Sequence, residues 1–282
     1  MDEKNKRGFV RRMSIKQHYA HSKEGHPREE WQPLEEHLKS VAEKAERFAS
    51  KFQSGSWAWN SGCLHDVGKA AAEFQAYLLR ENGLDDAEYD GIGHGRVNHS
   101  SAGAAFAQEV LGPIAGLTNA YLIAGHHAGL PDFYSSSTGR AALQIRLAEG
   151  QKNLSSIRLG IEVFGRQLRK EIRPPSFVKQ HNFHLWIRML FSCLVDADFL
   201  DTENFINPEQ AKDRQAFLSL AELKPRFDIY MQRMQSSSPN TPVNVVRQEV
   251  LAACKSASQY NPGLFSLTVP TGGGKTLSGM AF

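Results

Sequence analysis

His65-Asp66 places an imidazole and a carboxylate side by side in the run Gly62-Cys63-Leu64-His65-Asp66-Val67-Gly68-Lys69. Further histidines flank it at His37 and His99 and as the adjacent pair His126-His127. Neutral imidazole and carboxylate together suit divalent transition metals, and one carboxylate can bridge two ions. Any one of these histidines alone would read as a hydrogen-bonded core or surface residue. The ordered series, each member beside apolar helix-like sequence, is hard to explain by packing and predicts a metal-dependent hydrolase. Lys69 follows Asp66 on the same face of a helical turn, where its ammonium can meet a phosphate oxygen near the metals. A further carboxylate is needed to balance charge, and Asp196, Asp198 and Asp201 offer it. The apolar stripe Ile187, Leu190, Phe191, Leu194 continues to Asp198 and Asp201 and misses Asp196. An aspartate extending such a stripe faces inward and needs a partner, so Asp198 is the choice and Asp196 the reserve.

The elements that position these residues read as helices. From Trp31-Gln32-Pro33, with proline in the first turn, Leu34, Leu38, Val41, Ala45, Phe48 and Phe52 recur at helical spacing, with His37 beside the stripe. Helices are also predicted over Trp57 to Leu64, ending near Gly68, and through Phe74, Tyr77 and Leu78. Others follow over Ser101 to Leu111, Ile114 to His127, Arg140 to Gly150, Ile157 to Ile172 and Phe183 to Leu200. Glu81 to Asn98 reads as a loop leading into His99, and residues 135–139 as a second loop. Composition changes at 235–242, rich in serine and proline, which predicts a linker. Beyond it come a helix over Val243 to Ser258, a strand-like run Leu264 to Val269 and the loop Thr271-Gly272-Gly273-Gly274-Lys275-Thr276. The sequence ends at Phe282, inside the helix that loop should launch, which reads as a truncation because a lone strand cannot bury its own faces.

At 282 residues, 41% hydrophobic and 22% charged, the chain can bury a real core. Its net charge of +3 makes no case for nucleic acid by itself. Basic residues crowd the N-terminus (Lys4, Lys6, Arg7, Arg11, Arg12, Lys16) and Arg166, Arg169, Lys170 and Arg173. Either group could hold phosphates, although such patches are commonly just solvated. The cysteines, Cys63, Cys193 and Cys254, are scattered in apolar surroundings, which suits reduced thiols in a cytoplasmic protein. No run of residues is apolar enough for a membrane span or a signal peptide.

The motifs resemble the HD superfamily of metal-dependent phosphohydrolases, and within it the CRISPR-associated HD nuclease–helicases of type I systems. The resemblance is carried by Ala20-His21-Ser22, Leu34-Glu35-Glu36-His37-Leu38 and Cys63-Leu64-His65-Asp66-Val67-Gly68-Lys69. It continues through Asn98-His99-Ser100-Ser101-Ala102-Gly103, Ala124-Gly125-His126-His127-Ala128-Gly129 and the run from Asp196 to Glu203, in the family's order. Pro270-Thr271-Gly272-Gly273-Gly274-Lys275-Thr276 is similar to helicase motif I, whose amides cradle phosphates while lysine and threonine serve phosphate and magnesium. Val269 replaces the first glycine of the general phosphate-loop pattern, as is usual in superfamily 2 helicases.

The resemblance implies an all-α HD nuclease domain over 1–234, the linker 235–242, and over 243–282 the first helix, strand and phosphate loop of a RecA-like helicase domain. It implies two divalent metals that cut single-stranded DNA exposed when a crRNA-guided type I complex opens an R-loop. One ion would take His37, His65, Asp66 and Asp198; the other would take His99, His126 and His127, with Asp66 bridging. Asp66 and Lys69 would be catalytic, Lys69 helping to neutralise the phosphorane. An imidazole-rich site should favour Mn, Fe, Co or Ni over Mg alone. Gly272, Gly273, Gly274, Lys275 and Thr276 would bind ATP with Mg in a whole helicase.

Two rival readings use the same residues: an HD phosphohydrolase acting on nucleotides, and a non-catalytic, metal-stabilised docking module. His94 is a candidate extra ligand on a loop, and His21 reads as structural or cleft-lining. Of the aromatics, Phe133 and Tyr134, on a predicted loop after the histidine pair, are the candidates to stack on unpaired bases.

Overall fold

The computed structural model describes residues 17–84, 86–89, 91–92, 98–134, 139–215 and 217–282, and every structural statement below concerns those residues. His94, the basic N-terminus and the loop at 135–138 lie outside them. The chain divides into two compact units between Ala211 and Lys212.

The first unit is helical apart from an antiparallel ribbon of two short strands, β1 (Tyr19–His21) and β2 (Gln32–Pro33). The helix α1 (Leu34–Ser50) follows directly. Pro33 stands ahead of it in extended conformation (φ −60°, ψ 137°), not in its first turn as the sequence suggests. The ribbon decides this: Pro33 pairs with Tyr19, at an edge where its missing N–H is not needed. One face of α1 buries Leu34, His37, Leu38, Val41, Ala42, Ala45 and Ala49, so His37 lies within the stripe. That face packs on α2 (Gly55–Leu64) and α7 (Phe183–Ile206).

The helices α3 (Ala72–Glu81), α4 (Ser100–Val110), α5 (Pro113–Gly125) and α6 (Leu143–Gly165) build the rest of this unit. α4 packs against both α5 and α6. α6 is continuous where two helices were expected to part near Gly150. That glycine serves close packing, since a Cβ there would lie 2.0 Å from Ser101 O. One apolar cluster joins Leu38, Leu64, Phe106, Ile123, Leu143 and Ile161, and another joins Val41, Trp57, Leu122, Trp186, Leu190 and Leu194. Trp57 and Trp186 meet edge to face at 4.8 Å. Their indole N–H groups donate to Arg173 O and Ser54 Oγ, which removes the penalty of burying them.

The helix α8 (Pro208–Gln215) carries the boundary between the units; it is polar, with Ala211 its buried residue. The second unit contains α9 (Leu220–Ser237), α10 (Pro242–Ala257) and α11 (Lys275–Ala281). A capping box starts α9: Ser219 Oγ accepts from Glu222 N, and the Glu222 carboxylate accepts from Ser219 N. Residues 235–237 of the expected linker continue α9, and only 238–241 form the turn into α10, which opens on Pro242. The expected strand at Leu264–Val269 does not form. It has no partner strand among the described residues, and Leu264, Phe265 and Leu267 are exposed.

Candidate metal centre

Helix endings aim the site's side chains. α2 stops at Leu64; His65 keeps helical backbone, while Asp66 leaves it at φ −118°, ψ 15° and a 3₁₀ turn, Val67–Ala70, follows. His65 and Asp66 thus converge because the helix breaks between them, not because of their spacing on it. The tight turn also brings Lys69 back over Asp66, with Lys69 N donating to Asp66 O at 2.9 Å. His126 stands just past the end of α5, with His127 in the turn beyond. Gly68 completes the frame, because a Cβ on it would lie 2.0 Å from His99 O. Only glycine lets the backbone of His99 cross there.

The seven side chains His37, His65, Asp66, His99, His126, His127 and Asp198 come together in two groups that share Asp66. Asp66 Oδ2 lies 3.6 Å from both His37 Nε2 and His65 Nε2, and Asp198 Oδ1 stands 3.4 and 3.5 Å from the same two nitrogens. Asp66 Oδ1 lies 3.3 Å from His99 Nε2 and 3.3 Å from His126 Nε2. His127 Nε2 completes that group, 2.8 Å from His99 Nε2. Each oxygen of one carboxylate therefore serves one group. Asp196 lies elsewhere, lining a surface pocket with Leu130, Arg188 and Phe191.

These residues fit divalent ions. His37 Nε2, His65 Nε2, His126 Nε2 and Asp66 Oδ1 are buried and make no hydrogen bond. Such orphans are costly in a folded protein unless something else satisfies them. Their rings are oriented from behind. His65 Nδ1 donates to Gly62 O, His126 Nδ1 to Ile123 O and His37 Nδ1 to Asp201 Oδ2, at 2.9, 2.6 and 2.8 Å. A carbonyl can only accept, so His65 and His126 have their lone pair on Nε2, facing the group. No ring here needs to turn to become a ligand.

The electrostatics also call for positive charge. Burial disfavours a charged His37, yet Asp198, Asp201 and Asp66 outweigh it and raise its pKa to about 10. Burial works against ionisation of Asp66 too, but Lys69 and the neighbouring histidines hold its carboxyl well below the usual range. Asp198 is likewise held down, against its burial, by His37 and His65. Burial and then Lys69 push His21 down to about 4, and burial with His126 pushes His127 down to about 4. The groups are thus anionic carboxylates facing histidines, and once His37 gives up its proton they offer the donor chemistry of a transition-metal site.

The model of the family described as Cas3, HD domain, matches residues 19–173, more than half of the chain. The chain belongs to the Cas3 HD-domain family. This is a CRISPR-associated family of metal-dependent HD-type hydrolases. No curated protein matches the chain significantly. The matched residues include every histidine of both groups, Asp66 and Lys69, whereas Asp198 and Asp201 lie beyond them and enter through the geometry of α7.

Sequence reasoning missed the layer behind the candidate ligands of this Cas3 HD domain. Asp201 Oδ1 accepts from Ser40 Oγ and Lys44 Nζ, and its Oδ2 accepts from Gln32 Nε2 as well as His37. The inward stripe on α7 contained Asp201, but its partners lie far away in sequence. Lys69 is also not where its expected role would put it. It is 5% exposed, with Nζ 2.7 Å from Asp66 Oδ2 and 3.1 Å from His21 Nε2. Of the stacking candidates, Phe133 packs against the core and Tyr121 while Tyr134 is exposed. Arg169, from the second basic stretch, pairs with Glu46 and covers the Trp59 ring. A cavity of about 660 Å³ opens against His99 and His127, lined also by Phe74, Tyr77, Asn98 and Arg146.

In the second unit a separate cavity of about 510 Å³ is lined by Arg247, Pro270, Gly272, Gly274, Lys275 and Thr276. Arg247 Nε donates to Gly272 O at 2.8 Å, holding the loop from α10. No helix is long and apolar enough to cross a membrane.

Proposed function

We propose that this Cas3 HD domain is a two-metal nuclease for single-stranded DNA, acting in type I CRISPR interference on the strand displaced by a crRNA-guided complex. The observation that carries the reading is the division of Asp66, one oxygen to each ligand group. Two ions sharing a carboxylate supply an activated water and neutralise the attacked and leaving oxygens of an in-line phosphodiester displacement. His37, His65 and Asp198 would hold one, His99, His126 and His127 the other, with Asp66 between them. An imidazole-rich set favours Mn, Fe, Co or Ni over Mg.

The residues around the groups have separate tasks. Lys69 fixes the Asp66 carboxylate by donating to Oδ2. The cavity beside His99 and His127 offers Arg146 as a cation for the phosphodiester backbone, with Phe74 and Tyr77 as flat apolar surface for a sugar or base. Support for a DNA strand over a small nucleotide comes from the loop 270–276, which is similar to helicase motif I. On this reading Gly272, Gly273, Gly274, Lys275 and Thr276 take ATP and Mg in a longer protein.

The test is cleavage of circular single-stranded DNA with added Mn²⁺ or Co²⁺, beside a panel of nucleotides. Cleavage of the circle that Asp66→Ala abolishes supports the nuclease. Hydrolysis confined to nucleotides would select the phosphohydrolase, and bound metal with no turnover on any phosphoester would select the docking module.

A further inference from the structure

Behind the ligand atoms runs a chain of hydrogen bonds from Asp66 round to His37 whose direction is fixed at every link. Lys69 Nζ donates to Asp66 Oδ2 at 2.7 Å and to His21 Nε2 at 3.1 Å. An ammonium has no lone pair, so His21 Nε2 must accept. His21 then carries its proton on Nδ1, which donates to Gln32 Oε1 at 2.8 Å. That turns the Gln32 amide so that Nε2 donates to Asp201 Oδ2, again at 2.8 Å. The same oxygen accepts from His37 Nδ1. With Nδ1 donating to Asp201, Nε2 is the His37 atom left to bind a metal; it lies 3.6 Å from Asp66 Oδ2 with no hydrogen bond between them, and a metal would fill that gap. His21 and Gln32 face each other across the β1–β2 ribbon, so this small sheet supplies both middle links.

We infer that this chain of hydrogen bonds positions the first ion's ligands: Lys69 sets its polarity, and His21 and Gln32 carry that polarity to Asp201, fixing in place the carboxylate that holds His37 Nδ1–H. Neither His21 nor Gln32 belongs to a ligand group. They are positioning residues that keep His37 an Nε2 ligand and hold Asp66 Oδ2 in place. The same circuit gives buried Lys69 a task that needs no contact with phosphate. The inference rests on the two-group metal reading, and it separates the ions, because apart from the shared Asp66, which it meets at Oδ2, the circuit touches only the group of His37.

Two measurements without DNA test it. Long-range ¹H–¹⁵N correlation spectra of histidine-labelled, Zn²⁺-loaded protein should show His21 as the neutral Nδ1–H tautomer. Chelator competition with Mn²⁺ should show that Gln32→Met, which keeps length but removes donor and acceptor, weakens the first ion about 10–100-fold. The second ion's affinity should stay near the wild-type value, and the His21 signal should move towards mixed tautomers. Gln32→Glu is closer in shape and serves if the methionine variant does not fold; losing the donor and adding charge beside Asp201, it should weaken the first ion as much or more. An Nε2–H tautomer of His21 in the wild-type protein, or full first-ion affinity in a folded variant, overturns the inference. Wild-type protein that binds both ions with the expected tautomer but cuts no DNA would instead refute the nuclease and leave the circuit standing.

Discussion

Asp66 Oδ1 stands 3.3 Å from His126 Nε2, both atoms buried and neither in a hydrogen bond. Left as orphans they would cost about 1–3 kcal/mol each. Two donors converging on one cation remove that cost. His126→Ala should therefore lose one of two bound Mn²⁺ ions and Asp66→Ala both, as equilibrium dialysis with metal analysis would count. Equal stoichiometry in the two variants would contradict the shared carboxylate.

Asp198 and Asp196 lie on the same helix but do different work. Asp198 faces His37 and His65, while Asp196 lines a separate surface pocket. Asp198→Asn should lower the rate of DNA cleavage by more than the ~10–100-fold typical of a supporting residue. Asp196→Asn should leave it within about 3-fold, on the scale expected of surface changes away from a site. Initial rates at saturating Mn²⁺ decide the point, and the reverse ranking would remove Asp198 from the ligands.

Metal binding should release a proton. His37 has its pKa raised to about 10 and so carries its proton at neutral pH, and a metal must take that proton's place on Nε2. His127, pushed down to about 4, contributes none there. Apparent affinity for the first ion should therefore rise with pH from 7 towards 10. In the metal-free fold the sign is opposite: the stability gained from protonated His37 is present below its unfolded value near 6.5 and lost as pH rises through about 10. Calorimetric titration in buffers of different ionisation enthalpy measures the proton, and buffer-independent heats would contradict it.

Two substitutions should separate the fold from the site. Gly68→Ala puts a Cβ 2.0 Å from His99 O, an overpacking expected to cost ~1–3 kcal/mol and to displace His99. Both melting temperature and second-ion affinity should fall. Ser54→Ala strips the Trp186 indole of its acceptor, for a loss of about 1–3 kcal/mol. It should lower the melting temperature and leave metal affinity unchanged.

The two side-chain groups were legible as candidates because histidine and aspartate in an ordered series beside apolar periodic sequence are hard to explain by packing, and because the stripe on α7 separates Asp198 from Asp196. What lay behind them was not. Asp201 meets Gln32, His37, Ser40 and Lys44 across 157–169 residues of sequence, and no local pattern marks such partners. The second contact of Lys69 was hidden for a similar reason: spacing put it near Asp66, where it lies, but only the fold shows His21 on its other side. Helix boundaries slipped where tertiary packing overrode local signals. Gly150 looks like a breaker until α4 is set against it, and Pro33 looks like a first-turn proline until β1 pairs with it. The serines at 236 and 237 read as linker composition, yet they form the last turn of α9, their hydroxyls donating back to Gln232 O and Met234 O.

The central claim is that Asp66 bridges two ions. Anomalous diffraction from crystals soaked in Mn²⁺ tests it most directly. Two peaks are expected, one among His37, His65 and Asp198 and one among His99, His126 and His127, each coordinated by a different oxygen of Asp66. A single peak, or two with Asp66 bound to only one, would contradict the account.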